Sequence, residues 1–243
     1  MTPDQVALSA VIVAFAAGVQ TVTGFGFALM AVPLLSLVIP TETAVVLSAS
    51  LGLLSSSGQA YTERRHGDRP TIRRMLLGAA VGAPFGLLIL IVTTERQLRI
   101  VLVVVIAVFL LINVRNINLR RPSRVVDLVA GGVSGALNTA LSTNGPPLVM
   151  ALHVRHLTPQ VFRGTLTAVL AGSGVITVAL FALSGRYERD IVVLFLVSLP
   201  GLAAGFALGV RHRHRVSAAR FRQLVIALLA VTGVVALVGL LVA

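Results

Sequence analysis

The stretch GVQTVTGFGFALMAVPLL, residues 18–35, returns at mid-chain as GVSGALNTALSTNGPPLV, residues 132–149. Gly18 matches Gly132, Val19 matches Val133 and Pro33 matches Pro147, all at one offset. Each copy runs apolar, then polar, then through a Gly or Pro break, then apolar again. Gly and Pro interrupt the helical hydrogen-bond ladder. In a hydrocarbon environment such a break is tolerated only where protein or a water-filled cavity satisfies the freed backbone groups.

Outward from these two stretches the chain divides into ten apolar segments, roughly 6–22, 26–39, 43–61, 74–93, 98–114, 125–142, 146–154, 161–183, 190–210 and 221–242. A helix needs about 20 apolar residues to cross a core of about 30 Å. Eight segments reach or approach that length; 26–39 and 146–154 are short and follow the breaks, so each either spans or is re-entrant. The repetition extends further: Gly78, Gly82 and Gly86 match Gly201, Gly205 and Gly209, and Arg99 matches Arg222 in the same register. Residues 1–114 and 125–243 therefore read as two five-segment repeats joined by an Arg-rich linker, 115–124. An odd number of crossings per repeat inserts the two copies in opposite directions, whether or not the broken pairs are re-entrant. The expected fold is an all-α polytopic membrane protein: about eight transmembrane helices, two short broken or re-entrant segments, and an inverted two-fold internal repeat.

Composition excludes the soluble classes. Of 243 residues 56% are hydrophobic and only 12% charged, about half the usual charged share, and the mean hydropathy is +0.97. The net charge of +12 would suggest nucleic acid in a soluble protein, but no polar surface exists to display it. The absence of cysteine removes disulfides, thiol catalysis and Cys-based metal sites; no cofactor and no metal is implied. No basic stretch precedes the first apolar run, so no cleaved signal peptide is read.

All twenty basic residues are arginine, and most lie in three loops, 62–74, 115–124 and 211–222. The positive-inside rule places these loops in the cytoplasm. Alternation from there puts Arg155 and Arg163 inside, and the loops at 94–97 and 184–189 outside together with both termini. The expected location is the cytoplasmic (inner) cell membrane, with the lipid bilayer as partner. Fixing topology and touching anionic head groups is sufficient work for most of these arginines.

The two broken stretches and the Gly-spaced fourth and ninth segments resemble the TauE/SafE sulfite exporter family over almost the whole chain. That resemblance implies a secondary transporter exporting small anions, sulfite and organosulfonates among them. The second copy departs from a strict glycine-rich pattern: Asn138 and Ala140 stand where Gly24 and Gly26 stand in the first.

Polar residues inside apolar spans are costly and mark candidate sites. In the first copy these are Gln20, Thr21 and Thr23 beside Gly24 and Gly26. In the second they are Asn138, Thr139, Ser142, Thr143 and Asn144 beside Gly145. Freed N–H groups at the starts of the short segments, with hydroxyls and amides, are neutral donors suited to an oxyanion. The competing reading is that they bond helix to helix or to their own backbone. Ser55, Ser56, Ser57 and Gln59, with Thr165, Thr167 and Ser173, form a second polar layer that can line a path. Arg163 either draws the anion inward or snorkels.

All eight acids lie at segment ends or in loops, which disfavours proton or sodium coupling through a mid-span carboxylate. His153 and His156 are a weaker route for protons and are expected at the water interface. Three rival readings stay open: an intramembrane enzyme built on Ser134 with His153, a membrane scaffold or assembly factor without transport, and an importer of small anions. A homodimer is compatible with the sequence, which does not require one.

Overall fold

The structure, a computed structural model, describes residues 2–23, 26–115, 122–212, 227, 231 and 234. The described residues form nine helices: α1 (Pro3–Thr23), α2 (Phe27–Leu35), α3 (Thr41–Glu63), α4 (Arg69–Val92), α5 (Glu95–Arg115), α6 (Arg124–Leu141), α7 (Gly145–His153), α8 (Pro159–Leu183) and α9 (Arg189–His212). The segment expected at 221–242 lies outside the described residues except for 227, 231 and 234, as do residues 116–121 of the linker. Among the described residues four helices are long and apolar enough to cross a membrane: α1 over Pro3–Thr21, α4, α8, and α9 through Arg211. Polar residues such as Ser55, Ser56, Ser57 and Gln59 in α3, or Arg124, Asp127 and Asn138 in α6, dilute those two helices.

Two compact units emerge, and each draws helices from both halves of the sequence. The first holds α1, α2, α3 up to Leu51, α5 and α9; the second holds α3 from Gly52, α4, α6, α7 and α8.

In the first unit α2 is apolar all round, and eight of its nine residues are buried, as a helix without a polar face must be. α5 buries one stripe, Leu98, Leu102, Ile106 and Phe109, at the three-to-four-residue spacing of one helical face. α9 meets α1 through small residues: a Cβ added at Gly201 would lie 2.6 Å from the Ala10 carbonyl oxygen, and one at Gly205 would strike the Ala14 carbonyl. The chain returns after α2 to the start of α1, where Gln5 Nε2 donates to the Val38 carbonyl at 3.0 Å.

The second unit repeats this grammar. A Cβ at Gly78, Gly82 or Gly86 of α4 would strike the carbonyl of Leu128, Gly132 or Ala136 on α6. The backbones touch, as they do where small residues let membrane helices approach closely. A second face of α4 exposes Leu77, Val81, Phe85, Leu88 and Val92. Glycine inside and bulky apolar side chains outside is the arrangement expected where the solvent is lipid. α7 also returns to the start of its partner, because Arg155, just beyond α7, pairs with Asp127 in the first turn of α6. At nine residues each, α2 and α7 are about 14 Å long, too short to cross a hydrocarbon core of about 30 Å alone.

Candidate functional site

The break between α6 and α7 is built at the C-terminus of α6. Ser142 takes a left-handed conformation, φ 57°, and its N–H donates to the Asn138 carbonyl at 2.7 Å. That bond, from a left-handed residue back four positions, is an αL cap, and Thr143 N–H reaches further back to the Leu137 carbonyl at 3.2 Å. Glycine is the usual residue in that conformation; a serine there stores about 1–3 kcal/mol of strain. The stop thus comes from Ser142, three residues before the Gly–Pro–Pro run that the sequence emphasises.

Asn144 precedes α7 and makes no cap to its own helix. Its Nδ2 donates to Ser173 Oγ of α8 at 3.0 Å, and its carbonyl accepts Ser134 Oγ of α6 at 2.9 Å. This fixes the break beside the middle of α6. Deeper in the unit, Asn138 Nδ2 donates to the Ser173 carbonyl at 3.3 Å and to Thr177 Oγ1 at 2.9 Å. Thr139 Oγ1 lies 3.0 Å from Thr177 Oγ1 and donates to the Gly135 carbonyl at 3.1 Å. Asn138, Thr139, Ser173 and Thr177 are all buried.

The cluster contains two kinds of residue. Asn138 commits both amide hydrogens to α8, so it braces α6 against that helix. Asn144, only partly buried, commits one of its two amide hydrogens to Ser173, and no described residue takes the second. Thr143 Oγ1 donates to the Leu141 carbonyl at 3.0 Å. Gly145 opens α7, but Pro146 and Pro147 follow it and carry no N–H. Of the first four backbone donors of α7 only those of Gly145 and Leu148 exist. The start of α7 therefore offers half the backbone donors that a helix N-terminus without proline would.

The first unit has the opposite balance. Gly26 stands at φ 95° before α2, and the first four residues, Phe27 to Met30, all keep their N–H. Gln20 and Thr21 are buried at the end of α1, with Thr21 Oγ1 donating to the Ala17 carbonyl at 2.8 Å. Thr23 ends α1; its side chain and Gly24 lie outside what is described.

The second polar layer is divided. Ser55 and Ser56 are buried, Ser57 is exposed, and Gln59 is half-buried. Thr165 is buried and accepts the Asp68 N–H at 2.9 Å. Arg163 is 56% exposed and stands 3.8 Å from Glu63. His153 and His156 are exposed. Ser134, the nucleophile of the enzyme reading, donates to the Asn144 carbonyl. Two features escape a reading of the residues. Thr177 is one turn beyond Ser173 on the same face of α8, a spacing that points to it once Ser173 is suspected. Asp127, grouped with acids at segment ends, is fully buried between Arg74 and Arg155.

Long apolar helices, lipid-facing bulky residues and two hairpins broken at polar clusters define a multi-pass integral membrane protein. The chain matches the family model described as Sulfite exporter TauE/SafE over residues 9–236. It belongs to that family of membrane transporters. No curated protein and no solved structure matches the chain.

Proposed function

We propose that this protein is a secondary transporter exporting small anions, of the sulfite and organosulfonate class, across the cytoplasmic membrane. The observation that carries this reading is the buried neutral donor cluster at the α6–α7 break, with Asn144 held by Ser173 and Ser134. Uncharged donors bind an oxyanion weakly enough to let it go, which transport requires. The reading takes eight spanning helices, with residues 1–114 and 125–243 as inverted repeats around the 115–124 linker. Its support is the recurrence of one pattern: a short helix returning to the start of its partner, and a Gly-lined helix packed on that partner. Inverted repeats with broken helices are a common transporter architecture. The unequal donor sets, backbone N–H before α2 and an amide before α7, give the two half-sites different affinities.

With the arginine-rich loops inside, the membrane potential drives anions outward. Moving one negative charge out across 100 mV gains about 2.3 kcal/mol, near fifty-fold in concentration. The test is flux from liposomes holding the purified protein, loaded with sulfite or ethanesulfonate under an imposed potential. Voltage-dependent efflux is expected. Its absence across a panel of small anions, with folded protein in the bilayer, sinks the proposal.

A further inference from the structure

α4, α6 and the turn after α7 bring three charged side chains together at one end of the second unit. Asp127 is fully buried. Its Oδ2 accepts from Arg74 Nε at 2.7 Å and from Arg155 Nη2 at 2.6 Å, and its Oδ1 accepts from Arg155 Nε at 3.3 Å. Arg74 Nη2 donates onward to Thr71 Oγ1 at 3.2 Å. The carboxylate is sealed, but the arginine side chains are 25% and 16% exposed. Each guanidinium carries five N–H donors in a planar fork, and these bonds use two on each.

Among the described residues Asp127 is the one carboxylate in direct contact with the two guanidinium groups, and Asp68 reaches Arg74 only through the Thr71 hydroxyl, so the positive charge is least compensated at Arg155, in a partly desolvated place. A buried ion pair adds little stability even when its charges balance, because desolvation offsets the attraction. Fold stability therefore accounts poorly for the second arginine, whereas an anion accounts for it directly.

We infer that Arg74 and Arg155 form an anion-binding station on the exposed side of Asp127, for a small oxyanion such as sulfite or a sulfonate. Asp127 is a positioning residue that holds the two guanidinium groups convergent. The choice of ligand rests on the anion-carrier reading above. Asn144 precedes α7 and Arg155 follows it, so the station and the helix break sit at opposite ends of one rod about 14 Å long. An anion gathered at the station is delivered to the hairpin that carries the break.

The test is thermal unfolding of the purified full chain in detergent, with sodium sulfite, ethanesulfonate or chloride at equal ionic strength. At ten times Kd the linkage effect is a Tm rise of about 3–6 °C over chloride. The rise is expected to vanish in Arg74→Gln and Arg155→Gln, and to shrink in the lysine variants, which lack the fork, and in Asp127→Asn, whose amide keeps only one acceptor oxygen to hold the two guanidinium groups. Should the glutamine variants fail to fold, the lysine variants carry the comparison. No rise in the wild type, or an equal rise in the arginine variants, overturns the station. A rise with phosphatidylglycerol but with no free anion also overturns it, and assigns the pair to the bilayer. Liposome flux separates the two claims. Flux without an arginine-dependent Tm shift leaves the carrier and removes the station; an arginine-dependent shift without flux does the reverse.

Discussion

Asn144 Nδ2 donates to Ser173 Oγ at 3.0 Å, so the residue just before α7 is tied to α8 and makes no cap on its own helix. Ser173 Oγ in turn donates to the Leu170 carbonyl at 3.1 Å, which leaves its lone pairs for Asn144. Replacing Asn144 by Leu removes the amide and deprives Ser173 of its donor partner. The folding cost is about 1–2 kcal/mol, small enough for the protein to remain folded. Anion flux is expected to drop by about tenfold or more, the effect of losing roughly 1.4 kcal/mol of stabilisation on the path. Flux in liposomes and Tm in detergent, measured on one preparation, check both halves. Unchanged flux would place the anion elsewhere.

Gly82 predicts a different failure. A Cβ there would strike the Gly132 carbonyl, and a backbone atom cannot step aside as a flexible side chain can. Gly82→Val is expected to destabilise the unit by about 3 kcal/mol or more, through forced separation of α4 from α6. Gly58, inside α3, has nothing within 4 Å of its would-be Cβ. Gly58→Ala is expected to stabilise by about 0.5–1 kcal/mol, the ordinary gain of alanine over glycine in a helix. Opposite signs in thermal unfolding distinguish a packing glycine from an idle one. Two losses of equal size would remove the close-contact account.

The helices, the doubled break and the membrane class were legible because each leaves a one-dimensional mark: a run of apolar residues, a Gly or Pro, a scarcity of charge. The glycines of α4 and α9 were legible as packing residues for the same reason, since spacing alone puts them on one face. What spacing cannot show is the partner. Asn138 and Asn144 look alike in sequence, yet one commits its amide to bracing α6 and the other keeps a donor hydrogen. Asp127 looks like a solvated first-turn acid, and only the return of α7 brings Arg155 onto it. The left-handed Ser142 carries no sequence mark either, because the strain is imposed by the surrounding chain. The partition into compact units is hidden for a further reason. α9 packs on α1 and α4 on α6, pairings between distant segments that a linear reading assigns to separate repeats.

Tyr187, between α8 and α9, makes a 2.7 Å hydrogen bond with Ser50 Oγ. Burial raises its phenol above the ordinary value of 10.0, against an opposing effect of the Ser50 bond. A group whose folded pKa is raised contributes stability that is complete below the unfolded pKa and is lost as pH climbs through the folded one. Wild-type Tm is therefore expected to hold between pH 7 and about 9, then to fall above about pH 10. Tyr187→Phe loses the hydrogen bond, about 1 kcal/mol at neutral pH, and is expected to show a shallower alkaline decline. Parallel Tm curves for the two proteins from pH 8 to 11 would show that the phenol has no part in the decline.

The absence of cysteine makes the topology directly testable, since any introduced thiol is the only one in the chain. His66, between α3 and α4, and Glu188, between α8 and α9, are both exposed. Between these positions lie α4, α5, the α6–α7 hairpin and α8. On the proposed topology α4, α5 and α8 each cross once and the hairpin adds no net crossing, because Arg155 returns to Asp127, so the two positions are expected on opposite sides. The arginine-rich 62–74 loop sets the sign: His66 inside, Glu188 outside. In intact cells a membrane-impermeant maleimide is expected to label Glu188→Cys, and to label His66→Cys only after permeabilisation. Labelling of both from outside would require an even number of crossings. α7 would then have to end on the side opposite the start of α6, contrary to the Asp127–Arg155 contact. Reversed labelling would keep the hairpin and invert the protein, and the membrane potential would then drive small anions inward through it.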